Sequence, residues 1–84
     1  MRVLFDTSVL VPAVVDQLAN HEVALDALLG YTAGEHAGYC STHAVAECYA
    51  TLTALPLPRR VLPAEARQLV EESILGRVIV VTAP

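Results

Sequence analysis

Two acidic residues of this chain stand in apolar contexts. Asp6 closes the apolar run Val3-Leu4-Phe5 and is followed by Thr7 and Ser8. A continuous apolar run of this kind suits a strand buried on both faces, as in a parallel sheet. Asp6 then falls at the strand's carboxyl end, where open α/β sheets place their ligand sites. A carboxylate buried alone is very costly, so it needs a metal, a donor or water. Glu47 is flanked by Ala44, Ala46 and Ala50 in the first turns of a predicted helix. If the strand before that helix lies beside the first strand, both acids face one cleft. Two carboxylates about 4 Å apart repel by about 4 kcal/mol at an effective dielectric of ~20. Either one keeps a proton or a divalent cation lies between them. Ligands that are all oxygen favour Mg²⁺ or Mn²⁺ over zinc. The plainer reading, with Asp6 as a helix cap and Glu47 as an exposed helix residue, fits the residue types equally well.

The other reactive residue types point less sharply. Ser8 can reach a metal-bound water, although a helix cap is the better reading of its place. His43 and Glu47 are one helical turn apart on one face. That allows a two-ligand metal site, but a first-turn histidine in solvent is the favoured reading. Cys40, His43 and Cys48 lack the second C-x-x-C half of a zinc site. The two thiols are read as core, as is Tyr49, while His21 and His36 are read as surface. Arg59-Arg60 suits a solvated turn better than a phosphate contact. The chain contains no Walker A loop, no G-x-G-x-x-G and no G-x-S-x-G elbow.

The elements that must position the two acids follow from the pattern. Val3 to Phe5 is the first strand. Thr7 or Ser8 caps what comes next, a loose turn leading to helix proper from about Pro12, because proline does not lie deep in a regular helix. Asn20 caps a second helix over 21–29, with Val23, Ala24, Ala27 and Leu28 on one face. Gly30 is expected to end it in a left-handed conformation. Tyr39-Cys40-Ser41 is the second strand. Ser41 or Thr42 caps a third helix over about 43–55, which packs through Val45, Cys48, Tyr49 and Leu52. Pro63 suits the first position of a fourth helix, reaching about Leu75 with Ala66, Leu69, Val70 and Ile74 inward. Arg77 to Val81, β-branched and apolar, is the third strand. Strands joined by crossovers of this length give an α/β fold with a parallel sheet and right-handed connections.

Composition narrows the class. With 84 residues the chain is one domain at most, and its net charge is −4. An acidic balance argues against non-specific coating of nucleic acid, which runs on basic surfaces. It leaves room for a nuclease whose acids hold metal ions. Every fixed side-chain cation is arginine, and two cysteines make no disulfide framework. Neither a signal peptide nor a membrane-spanning apolar run is visible, so a cytoplasmic protein is expected.

Three stretches together resemble a known family. Val3-Leu4-Phe5-Asp6-Thr7-Ser8-Val9-Leu10-Val11 resembles the opening of the PIN domain. His43-Ala44-Val45-Ala46-Glu47-Cys48-Tyr49-Ala50-Thr51-Leu52 resembles its second acidic motif, and the segment from Leu55 to Ala66 is similar to the linker of bacterial VapC-type toxins. The resemblance implies a three-layer α/β/α fold and a ribonuclease from a type II toxin–antitoxin pair, hydrolysing RNA phosphodiesters with Mg²⁺ or Mn²⁺. It implies Asp6 and Glu47 as the first and second metal-holding acids and Ser8 as a supporting polar position. The implied partners are an RNA substrate, a cognate antitoxin that blocks the cleft with an arginine-bearing segment, and a second copy of the chain. No membrane is involved.

The chain also departs from that pattern. The family continues past the third strand with a helix carrying a third acid, and no later acid of this chain matches it. Glu65, Glu71 and Glu72 belong to the fourth helix and look solvated. The expectation is therefore an N-terminal portion of a PIN domain, truncated after the third strand and weakly active or inactive alone. The alternative is a non-catalytic fragment that binds an antitoxin or itself. A phosphatase of the haloacid dehalogenase type also opens on a strand ending in Asp, but it wants a second Asp where this chain has Ser8.

Overall fold

The computed structural model describes residues 2–82. Their order is β1 (Arg2–Leu4), α1 (Thr7–Val14), α2 (His21–Gly30), β2 (Ala37–Ser41), α3 (Thr42–Ala54), α4 (Pro63–Gln68), a π-helix (Leu69–Ile74) and β3 (Val78–Val81). The strands form one parallel sheet in the order β1-β2-β3. In its register Leu4, Tyr39 and Ile79 lie in one row and Val3, Gly38 and Val78 in the next. The Phe5 N–H donates to Tyr39 O at 2.7 Å, so pairing persists up to the residue before Asp6. The mixed α/β class and the parallel sheet expected from the pattern are present.

Both crossovers step the same way along the sheet, and the right-handed rule for such connections lays their helices on one side of it. Phe5, Gly38, Cys40 and Val78 face that side and are buried. They meet Leu10, Val11, Ala24, Leu28, Ala44, Cys48, Leu52, Ala66, Val70 and Ile74 in one core. The opposite face carries Leu4 at 71% exposure, Ile79 at 53% and Val81 at 39%. The described residues thus make two layers; the second helical layer of the three-layer expectation is not among them. For the same reason β1 is not buried on both faces. Its apolar run reflects a sheet whose second face is bare here.

Other expectations shift locally. The first helix starts at Thr7, and Pro12 lies inside it. The missing N–H deprives the carbonyl of Ser8, an exposed residue to which water has access. The Pro12 carbonyl meets His21 Nδ1 at 2.8 Å, which ties α1 to the start of α2 and makes His21 half-buried rather than a surface residue. Gly30 stays helical, and the left-handed glycine is Gly34, at φ 63°. Ala24 and Leu28 carry the buried stripe of α2, leaving Val23 exposed. In α3 the stripe is Ala44, Cys48 and Leu52, so Tyr49 lies on its flank and is exposed rather than core.

The fourth helix begins at Pro63 as expected, with the Glu65 carboxylate accepting from the Leu62 N–H at 3.2 Å. It then widens, Leu75 N–H donating to Val70 O at 2.8 Å across five residues. A four-residue spacing drifts by about 40° per step in an α-helix. The wider turn opposes that drift and keeps Ala66, Val70 and Ile74 buried together. Gly76 follows where a Cβ would come within 2.5 Å of Glu72 O, so only glycine fits without a shift.

Candidate metal site at the carboxyl edge of the sheet

Asp6 owes its place to the strand before it and the helix after it. It is the N-cap of α1, with extended backbone (φ −95°, ψ 162°), and its Oδ1 accepts from the Thr7 N–H at 2.6 Å. The cap expected at Thr7 or Ser8 is therefore Asp6 itself. Ser8 Oγ donates to Asp6 Oδ2 at 3.3 Å. Both carboxylate oxygens are thus engaged by donors of the first helical turn.

Glu47 is placed by α3. Ser41 caps that helix, its Oγ accepting from the Ala44 N–H at 3.0 Å. Because β2 pairs with β1, the first turns of α3 rise beside those of α1. Asp6 and Glu47 both line one open cavity of about 330 Å³, together with Leu4, Phe5, Ser41, His43 and Ala44. The cavity lies where the carboxyl ends of two strands meet the N-termini of two helices, the usual ligand position in open α/β sheets.

His43, read as a first-turn histidine in solvent, is exposed as expected. Its Nε2 lies 2.8 Å from Glu47 Oε1, although both side chains are largely solvated, at 76% and 50% exposure. The signal available in the sequence was the four-residue spacing on a helix, which permits such a contact without requiring it.

Behind the acids lies a dry thiol layer. Cys40 and Cys48 are free and fully buried. Burial pushes Cys40 above the ordinary thiol value. Cys48 is pushed up to about 11, chiefly by burial, then by Cys40, with the charges of Glu47 and Asp6 adding and the Thr7 hydroxyl opposing. Thr7 Oγ1 is itself buried without a well-formed hydrogen-bond partner, and the Cys48 sulfur is its weak support. Thiols held in this state are poor nucleophiles and poor metal ligands.

The donor set suits a hard cation. Mg²⁺ is commonly held by one or two carboxylates, with waters and substrate phosphate oxygens completing its shell. Two acids lining one cavity fit that pattern. A cage made wholly of protein ligands is not formed, since no group of three or more His, Cys, Asp or Glu among the described residues is placed to hold an ion. No helix among the described residues is long and apolar enough to cross a membrane. Compared with known proteins, the chain matches no family model, no curated protein and no solved structure.

Proposed function

We propose that this chain carries the metal-holding half of a PIN-type, VapC-like ribonuclease, which hydrolyses RNA phosphodiester bonds with Mg²⁺ or Mn²⁺. The observation that carries this reading is that Asp6 and Glu47, 41 positions apart in the sequence, line the same cavity. Asp6 and Glu47 hold the cation, and Ser8 supports Asp6 through its hydrogen bond. When bound, the cation supplies an activated water and offsets charge on the phosphate. The acids themselves repel phosphate, so substrate binding depends on the cation. Two acids fix a cation weakly, and weak cleavage by this chain alone is part of the proposal. An antitoxin segment bearing arginine would block the same cavity by pairing with the two carboxylates.

One other observation favours a second reading, a non-catalytic module that pairs with an antitoxin or a second copy. The β1 edge is open, and the sheet face beside it exposes Leu4, Ile79 and Val81. An unpaired strand edge is a template for another chain.

Mn²⁺ binding and cleavage of a mixed RNA substrate, measured on the chain and on Asp6→Asn and Glu47→Gln, separate the readings. The nuclease reading expects weak Mn²⁺ binding and slow cleavage, both lost in either variant. Absence of binding and cleavage in the unaltered chain, or equal values in both variants, would leave the non-catalytic reading.

A further inference from the structure

We propose that His43 is a positioning residue for Glu47, engaging one carboxylate oxygen and so keeping the other available to a cation. The inference rests on the metal-site reading above. Four observations carry it. The contact is short, 2.8 Å from Nε2 to Oε1. It links residues four apart on α3, whose start is fixed by the Ser41 cap. His43 lines the same cavity as Asp6 and Glu47, so the contact lies at the site and not on the remote face of the helix. Asp6 has a comparable tether, Ser8 Oγ donating to its Oδ2 at 3.3 Å. Each acid is therefore met by a polar side chain from its own helix.

The physical reason lies in side-chain freedom. A half-exposed glutamate samples many rotamers, and ordering it opposes binding. Apparent affinity scales with the fraction of molecules already in the competent arrangement. The close contact with the imidazole raises that fraction while engaging only Oε1. Direct ligation by His43 would compete with this contact, because Nε2 is the atom that meets Glu47. Outer partners of ligating carboxylates typically contribute 10–100-fold in metal affinity, but an exposed pair four residues apart on a helix shifts a population only about twofold, and that sets the expected effect.

The test is Mn²⁺ titration of the full chain followed by the paramagnetic signal of free Mn²⁺. It compares the unaltered chain with His43→Ala, His43→Gln and Glu47→Gln, with circular dichroism as the control for folding. Glutamine places an amide nitrogen near where Nε2 lies and keeps a polar contact without an imidazole. His43→Ala should weaken binding about twofold, and His43→Gln should stay close to the unaltered chain. Binding by His43→Ala as tight as before or tighter would overturn the inference, because the contact would then be idle or obstructive. Binding by His43→Gln as weak as by His43→Ala would also overturn it, making the imidazole itself the ligand. No Mn²⁺ bound by the unaltered chain, or full binding by Glu47→Gln, would overturn the metal reading, and the inference with it.

Discussion

Gly38 in β2 packs directly beneath the ring of Phe5: a Cβ on Gly38 would lie 2.8 Å from Phe5 Cε2 and 2.7 Å from Thr32 Cγ2. Phe5 is the residue before Asp6 and is almost fully buried. The glycine therefore lets the ring seat against β2, and the seated ring helps set where the first acid leaves the sheet. Gly38→Ala forces a buried ring to move, and overpacking of this kind costs about 1–3 kcal/mol. Urea unfolding should show that loss, and a midpoint equal to the unaltered chain would mean that the ring is not confined.

The two acids should differ in what they contribute to stability. Asp6 caps α1 through the Thr7 N–H. Asp6→Ala should therefore cost about 1 kcal/mol, as loss of an N-cap does, whereas Asp6→Asn keeps an acceptor and should cost less. Glu47 makes only an exposed contact with His43, and pairs of that kind contribute about 0.3–0.5 kcal/mol. Glu47→Ala should unfold within that margin of the unaltered chain. A larger loss for Glu47→Ala than for Asp6→Ala in thermal unfolding would contradict this assignment.

The buried thiols make the fold sensitive to alkali. Cys48 titrates at about 11 in the folded chain, above the ordinary thiol range near 8.5. Its proton is therefore held more tightly by the folded state. Below the unfolded value the two states bind it equally and stability is unaffected. Between the two values the unfolded thiol ionises first, so stability falls as pH rises. The fall should approach 2 kcal/mol in order of magnitude by the folded value. Cys40 is shifted in the same direction, so Cys48→Ala should make the slope shallower without abolishing it. Unfolding midpoints measured across the alkaline range, with Cys48→Ala alongside, check the sign.

Two leucines of the same size should respond in opposite ways. Leu52 is fully buried in α3, and Leu4 is 71% exposed on the bare sheet face. Leu52→Ala should cost about 2–5 kcal/mol, while Leu4→Ala should lie within about 0.5 kcal/mol of the unaltered chain, as exposed substitutions do.

The same face bears on assembly. An open β1 edge beside exposed apolar residues favours self-association. Sedimentation equilibrium at micromolar concentration should show a dimer or a larger species, and Leu4→Lys should shift it toward monomer. A folded monomer across the concentration range would rule out the second-copy interface.

Much of this architecture is already specified by local residue pattern. Pro63 at the head of α4, Ser41 capping α3, and the β-branched run of β3 act through neighbours in the chain, so their elements are legible without the fold. The alternation of strands with helical pairs determines the parallel sheet, because short parallel strands need such crossovers. The residue types and their order also single out Asp6 and Glu47 as candidate site residues. Which side of each element is buried was decided only by tertiary packing. Leu4, Val23 and Tyr49 are apolar enough for a core yet stand exposed, because burial depends on what another element covers. Pro12 sits inside α1 with the Ser8 carbonyl left to water, and its own carbonyl meets His21 of the next helix, a contact that helix propensity does not contain. The widening at Leu69–Ile74 serves a four-residue stripe that must meet the core. The cavity shared by Asp6, Glu47 and His43 exists because β1 and β2 pair, and that pairing brings together residues distant in sequence.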